Sequence, residues 1–152
     1  IKHLPCETLD GHRICAWVNT GLMTDVVRSL NQGAEGVGLY RTEVPFMINE
    51  RFPSEQEQIA CYREQLEAFA PNNVTMRTLD IGGDKALTYF PIQEENPFLG
   101  WRAIRLCLEE KDLFRTQLRA ILRAALPPPR APDRRHTRAR SRRSQRIARY
   151  RA

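Results

Sequence analysis

No apolar run in this sequence approaches the ~20 residues that a membrane-spanning helix requires, and the first residues do not pass from charged to apolar to small as a secretory signal does. A cytoplasmic address is the expectation. Metal and redox chemistry have little to work with. Cys6, Cys15, Cys61 and Cys107 stand 9, 46 and 46 positions apart, without the close spacing of a zinc knuckle or a CxxC centre. Cys15 and Cys107 lie in apolar runs, where a buried free thiol is ordinary. His3, His12 and His136 are scattered and read as surface residues, none with a neighbour that suggests catalysis or metal binding. Gly82-Gly83-Asp84-Lys85 lacks the GxxxxGK spacing of a nucleotide-phosphate loop and reads as a tight turn. The residues themselves therefore assign no catalytic or metal-binding position.

Excess positive charge is also missing from most of the chain. Ten arginines lie between Pro127 and Ala152 against one acid, Asp133, a net of +9, whereas residues 1–126 hold 14 bases against 17 acids, a net of −3. The basic balance of the whole chain belongs to its tail and gives no ground for specific nucleic-acid contact by the domain. Pro127-Pro128-Pro129 stops any helix, and beyond it only Ile147 and Tyr150 are large and apolar. Residues 127–152 are expected to be a disordered basic tail that cannot build a core. Its abrupt Arg, Pro, Ala and Ser content reads as GC-rich DNA translated out of phase, with a natural tail as the alternative.

What is present is a succession of strand-like and helix-like segments. Residues 14–18 form a short apolar run that reads as a buried strand after a leading loop with a turn at Asp10-Gly11. Residues 23–31 read as a helix with Val26, Val27 and Leu30 on one side and Gly33 where a left-handed cap is wanted. Residues 36–40 (GVGLY) read as a second strand that delivers Arg41-Thr42-Glu43 at its end. Ser54 and Glu57 have the spacing of a capping box, followed by Ile59, Tyr62, Leu66 and Phe69 along one helical stripe. Residues 74–81 alternate as a third strand, broken by the glycine turn. Helical spacing resumes over 99–108 through Trp101, Ile104 and Leu108, and a last helix is marked by Leu118, Ile121 and Leu122. Three strand-then-helix units imply an α/β fold with parallel strands, which a closed barrel and an open doubly wound sheet would satisfy equally.

The residues suited to chemistry are arginines. Arg41 and Arg77 stand at or just after strands, and Arg102 follows a Gly-Trp pair. A guanidinium directs two parallel donors at phosphate or carboxylate oxygens, and ligands of parallel α/β folds bind at the C-terminal strand ends. Three such groups together would make an anion site. The same arginines could instead pair with Glu43, Asp80 and Glu95 and hold loops in place.

Four strings, GAEGVGLYRTE (33–43), RTLDIGGDKAL (77–87), ENPFLGWRAIR (95–105) and FRTQLRAILRA (114–124), resemble in order and spacing the signature blocks of enzyme I of the phosphoenolpyruvate-dependent phosphotransferase system. The surroundings of Val44-Pro45 and of residues 12–18 are similar to its nitrogen-regulatory branch. The resemblance implies a (β/α)8 TIM barrel that binds phosphoenolpyruvate and magnesium and passes a phosphoryl group to a histidine of another domain, then to a histidine-containing phosphocarrier protein. Arg41, Arg77 and Arg102 fall on the substrate-gripping arginines of that family. Residues 1–126 would be the N-terminal half of the barrel, in a family expected to form homodimers, with the magnesium ligands and the acid of the reaction outside the matched residues. The chain alone is then expected to be inactive. Nucleic-acid binding through the tail, and membership of an ATP-using pyruvate phosphate dikinase or phosphoenolpyruvate synthase relative, are the alternatives.

Overall fold

The computed structural model describes residues 4–93, 95, 96 and 98–126; the tail at 127–152 with His136, and also His3, lie outside the described residues. Eight elements follow in order: β1 (Val18–Thr20), α1 (Met23–Asn31), β2 (Val37–Arg41), α2 (Glu43–Ile48), α3 (Glu55–Phe69), β3 (Val74–Arg77), α4 (Ala103–Glu109) and α5 (Lys111–Ala125). The three strands form one parallel sheet in the order β1-β2-β3. The architecture is therefore mixed α/β with helical crossovers, as the alternation of periods implies.

Local sequence chemistry sets several boundaries. Gly33, at φ 89°, closes α1: its N–H donates to Leu30 C=O and that of Ala34 donates to Ser29 C=O, the paired bonds of a Schellman cap. The Ser54 hydroxyl accepts from Glu57 N–H while the Glu57 carboxylate accepts from Ser54 N–H, so the capping box at the head of α3 is complete.

Other boundaries and faces differ from the sequence reading. Residues 14–17 lie outside β1, and Ile14 and Trp17 are exposed. Their backbone is drawn elsewhere, because Ile14 N–H donates to Cys6 C=O and Ala16 N–H to the Glu35 carboxylate. The third strand ends at Arg77 rather than continuing to 81, since Leu79 N–H is taken by a side chain of α5. Helix α4 starts at Ala103, and the stripe expected to be buried is turned outward: Leu106 and Cys107 are buried, while Ile104 and Leu108 are exposed. In α1 only Val26 is buried, and Val27 faces solvent.

Helix α5 shows the same rule. Its inward face is Gln117, Ala120 and Ala124, with Leu118 and Leu122 exposed. Small side chains at 120 and 124 let α5 approach α3, and proximity decides burial more than side-chain size does. Two cores result. One joins Val37 and Tyr40 of β2 to Tyr62 and Phe69 of α3 and the alanines of α5. The other gathers Phe46, Leu79, Ile81, Leu87 and Leu106 beneath a chain of edge-on aromatic contacts from Phe46 through Phe52 to Tyr89 and Phe90. Each fully buried large apolar side chain contributes about 1.5–3 kcal/mol. This second cluster underlies the polar residues at the strand ends.

Candidate functional site

Strands β2 and β3 end side by side. Arg41 and Arg77 are register partners, and the residues before them, Tyr40 and Met76, belong to the first core, so strand alternation sends the two arginines to the opposite face. Arg41 is exposed there. Arg77 ion-pairs with Glu43, which opens α2 and is 1% exposed, and its second nitrogen lies 3.3 Å from Asp80.

The turn at 82–85 brings a fourth cation back over the site. Gly82 and Lys85 exchange backbone hydrogen bonds, with Gly82 at φ 108° and Gly83 at φ 64°, conformations open to glycine. Lys85 Nζ consequently lies 2.8 Å from Glu43 Oε1 and 3.0 Å from Asp80 Oδ2. Gly82 serves a second purpose, because a Cβ there would meet Arg102 Cβ at 2.7 Å. That close approach allows Arg102 to place a guanidinium nitrogen 3.0 Å from Asp80 Oδ1 and over the ring of Phe98.

Arg77 and Arg102 are thus brought to one carboxylate, with Arg41 on the adjoining strand end. The pairing with Glu43 and Asp80 considered from sequence is present; Glu95 does not join it among the described residues. Lys85 was missed, because a lysine after a Gly-Gly-Asp turn signals only the turn, and its partner Glu43 lies 42 residues away.

Three cations, Arg77, Lys85 and Arg102, face two largely buried carboxylates, Glu43 and Asp80. Asp84, 4.0 Å from Arg102, is a third carboxylate at the edge of the cluster, so the balance becomes positive when Arg41 is added. Burial works against ionisation of Asp80, yet hydrogen bonds from Arg102 and Lys85 outweigh it and hold the carboxyl below its ordinary value. Asp80 therefore stays charged, and it and Glu43 act as anchors through their ion pairs. Each cation keeps unused donors, and the buried Arg77 Nε has no hydrogen-bond partner among the described residues. Such a constellation can receive an anion with several oxygens.

It does not fit a divalent metal. No group of three or more histidine, cysteine or acidic side chains gathers among the described residues, and both carboxylates of the cluster are already committed to cations. Cys107, the buried thiol, is pushed up by burial and by the Asp80 charge, and contacts Leu79 C=O. Cys15, expected in a buried run, is exposed, as are Cys6 and His12.

Residues 1–129 match the PEP-utilising enzyme, PEP-binding domain, and the chain belongs to that family. Among similar proteins, the phosphoenolpyruvate-dependent phosphotransferase system protein of Escherichia coli K12 is 49% identical over 122 residues, 80% of this chain and 16% of its own length. The phosphoenolpyruvate-protein phosphotransferase of Bacillus subtilis is 52% identical over 122 residues, 80% of this chain and 21% of its own. That of Haemophilus influenzae is 48% identical over 126 residues, 82% and 22% respectively. The chain spans about a fifth of the length of these relatives. No helix among the described residues is long and apolar enough to cross a membrane.

Proposed function

We propose that this chain is the phosphoenolpyruvate-gripping segment of a phosphoenolpyruvate-dependent protein phosphotransferase, with Arg41, Arg77 and Arg102 as its substrate contacts. The observation that carries the reading is the shared anchoring of Arg77 and Arg102 on Asp80 at the C-terminal ends of parallel strands, beside Arg41. Phosphoryl transfer demands that a donor be held in line and that charge on its equatorial oxygens be neutralised, work suited to fixed guanidinium groups. Here Asp80 and Glu43 hold those groups in place before the ligand arrives, so little reorganisation accompanies binding.

The rest of the reading extends the family membership and is proposed with it. Residues 1–126 form the first half of a (β/α)8 barrel, cytoplasmic in setting, whose remaining strands would supply the magnesium ligands and the acid. The complete protein would form homodimers, take its phosphoryl group from phosphoenolpyruvate and deliver it by way of a histidine to a phosphocarrier protein. No observation favours nucleic-acid binding through residues 127–152, which lie outside the described residues.

Calorimetric titration of the chain with phosphoenolpyruvate tests this. Saturable binding is expected, abolished by Arg77→Ala and retained by Arg105→Ala, whose guanidinium caps the carbonyls of Leu99 and Gly100 away from the cluster. Equal binding by both variants would sink the assignment.

A further inference from the structure

Beneath the anion site, a buried polar network runs between α3, α5 and the strand ends. Gln117 of α5 is 1% exposed, as is Tyr62, and Thr42 is fully buried. Both ends of the Gln117 amide are engaged: Oε1 accepts from Leu79 N–H at 2.8 Å, and Nε2 donates to Thr42 Oγ1 at 3.1 Å and to Tyr62 Oη at 3.2 Å. Thr42 Oγ1 in turn donates to Arg77 C=O at 2.7 Å. Tyr62 Oη donates to Gln58 Oε1 at 3.1 Å, and Gln58 Nε2 donates to Pro53 C=O at 2.9 Å.

The direction of every bond is set by the ends of the chain. A backbone N–H can only donate and a carbonyl can only accept, so Leu79 and Pro53 fix the orientation of both glutamine amides. Tyr62 stays neutral, because burial raises its phenol well above its ordinary value. No member of the network changes charge in ordinary buffer.

What the network holds is informative. Thr42 immediately precedes Glu43, Leu79 immediately precedes Asp80, and the third backbone atom is the carbonyl of Arg77 itself. One side-chain amide thus bridges the two backbone segments that present both anchoring carboxylates and one guanidinium. Well-packed apolar groups of the same shape could serve stability equally well. They would not fix the relative height of two strand ends.

We infer that Gln117 and Thr42 are positioning residues for the anion site: the Gln117 amide and the Thr42 hydroxyl clamp the ends of β2 and β3 so that Glu43 and Asp80 hold Arg77 and Arg102 in register for the ligand. The inference rests on the reading of the cluster as a phosphoenolpyruvate site. Neither residue touches the ligand, so the effect passes through Arg77.

The test uses the full chain and its Thr42→Val, Thr42→Ser and Gln117→Leu variants, titrated with phosphoenolpyruvate at a temperature where circular dichroism shows each to be folded. The Nε–Hε signal of Arg77, identified by its loss in Arg77→Lys, is followed by NMR in the same samples. Thr42→Val and Gln117→Leu are expected to weaken binding by about tenfold or more and to move the Arg77 signal, while Thr42→Ser, which keeps the hydroxyl, stays within about twofold of the parent. Parent-like affinity and an unmoved Arg77 signal in Thr42→Val would overturn the inference, whatever happens to stability. Should Gln117→Leu fail to fold, the valine and serine pair decides alone. Absence of phosphoenolpyruvate binding by the parent would instead overturn the functional reading, and the Arg77 signal would still decide the positioning: moved by valine and not by serine supports it, unmoved by either refutes it.

Discussion

Arg102 and Arg77 grip opposite oxygens of one carboxylate: an Arg102 nitrogen lies 3.0 Å from Asp80 Oδ1, and an Arg77 nitrogen lies 3.3 Å from Asp80 Oδ2. The two residues are 25 positions apart in sequence and reach Asp80 from different elements, one from β3 and the other from the residue before α4. Asp80 is therefore the point at which the separate limbs of the site are tied together, and Lys85 adds a third tie to the same side chain.

Replacing Asp80 by Asn keeps the shape and removes the charge. Arg77 and Lys85 then share Glu43, and among the described residues Arg102 keeps the Phe98 ring and one ion-pair partner, Asp84, 4.0 Å away and largely in solvent. Hydrogen bonds to charged groups contribute roughly 1.5–3 kcal/mol, so a loss of about 2–3 kcal/mol is expected for the variant. Urea unfolding should show a lower midpoint with an unchanged slope. A midpoint within error of the parent would mean that Asp80 anchors nothing.

Acid should act through the same carboxyl. Asp80 is held below its ordinary value once the Arg102 and Lys85 hydrogen bonds overcome its burial, and Glu57 is lowered to about 2, chiefly by Arg51 and then by Ser54. In both cases the unfolded chain takes up the proton first. Their contribution is complete above the unfolded carboxyl values near ~4 and is lost as pH falls through the lower folded values. Stability should decline between about pH 4 and about pH 2 on this account, and Asp80→Asn should flatten the decline. Added salt should reduce the share of Glu57, which is half exposed, more than that of Asp80. Parallel pH curves for parent and Asp80→Asn would contradict the assignment.

Much of this molecule was legible in its sequence where the cause is local. The capping box at Ser54 and the glycine cap at Gly33 depend on residues three to five apart, and both form. Strand β2 and the turn after Ile81 are local in the same sense. The inward face of α5 was legible only at Ile121, which packs against the first core; apolar periodicity points equally to the exposed Leu118 and Leu122, while the buried residues are Gln117, Ala120 and Ala124. A glutamine becomes core only when three partners from elsewhere meet it. The arginines could be singled out from strand-end positions, whereas the entry of Lys85 into their cluster depends on where a turn points. Resemblance could name the family, but not the network underneath it.

The head of α3 offers a stability test away from the site. Ser54→Ala removes the hydroxyl that accepts from Glu57 N–H at 3.3 Å and leaves the reciprocal bond at 2.7 Å in place. Loss of such a cap costs about 1 kcal/mol, and Ser54→Asp should restore most of it. Thermal unfolding of the three proteins measures the difference, and phosphoenolpyruvate affinity should be the same in all of them.

Gly82→Ala joins backbone conformation to function. At φ 108° a side chain is strained wherever it points, and here the added methyl would stand 2.7 Å from Arg102 Cβ and 3.2 Å from the Trp101 carbonyl. Strain of this kind costs on the order of 1–3 kcal/mol. The turn cannot relax without cost, because Gly82 and Lys85 bond each other through their backbones and Ala103 N–H donates to the neighbouring Ile81 C=O. The easier displacement is of the segment carrying Arg102, which would draw its guanidinium away from Asp80. Two outcomes should therefore appear together in Gly82→Ala: a lower unfolding midpoint and a loss of anion affinity larger than the loss caused by Ser54→Ala. Calorimetry on samples held well below their unfolding temperatures separates the two effects. A variant that is destabilised yet binds phosphoenolpyruvate as the parent does would show that contact between the glycine turn and Arg102 supports the fold without setting the site.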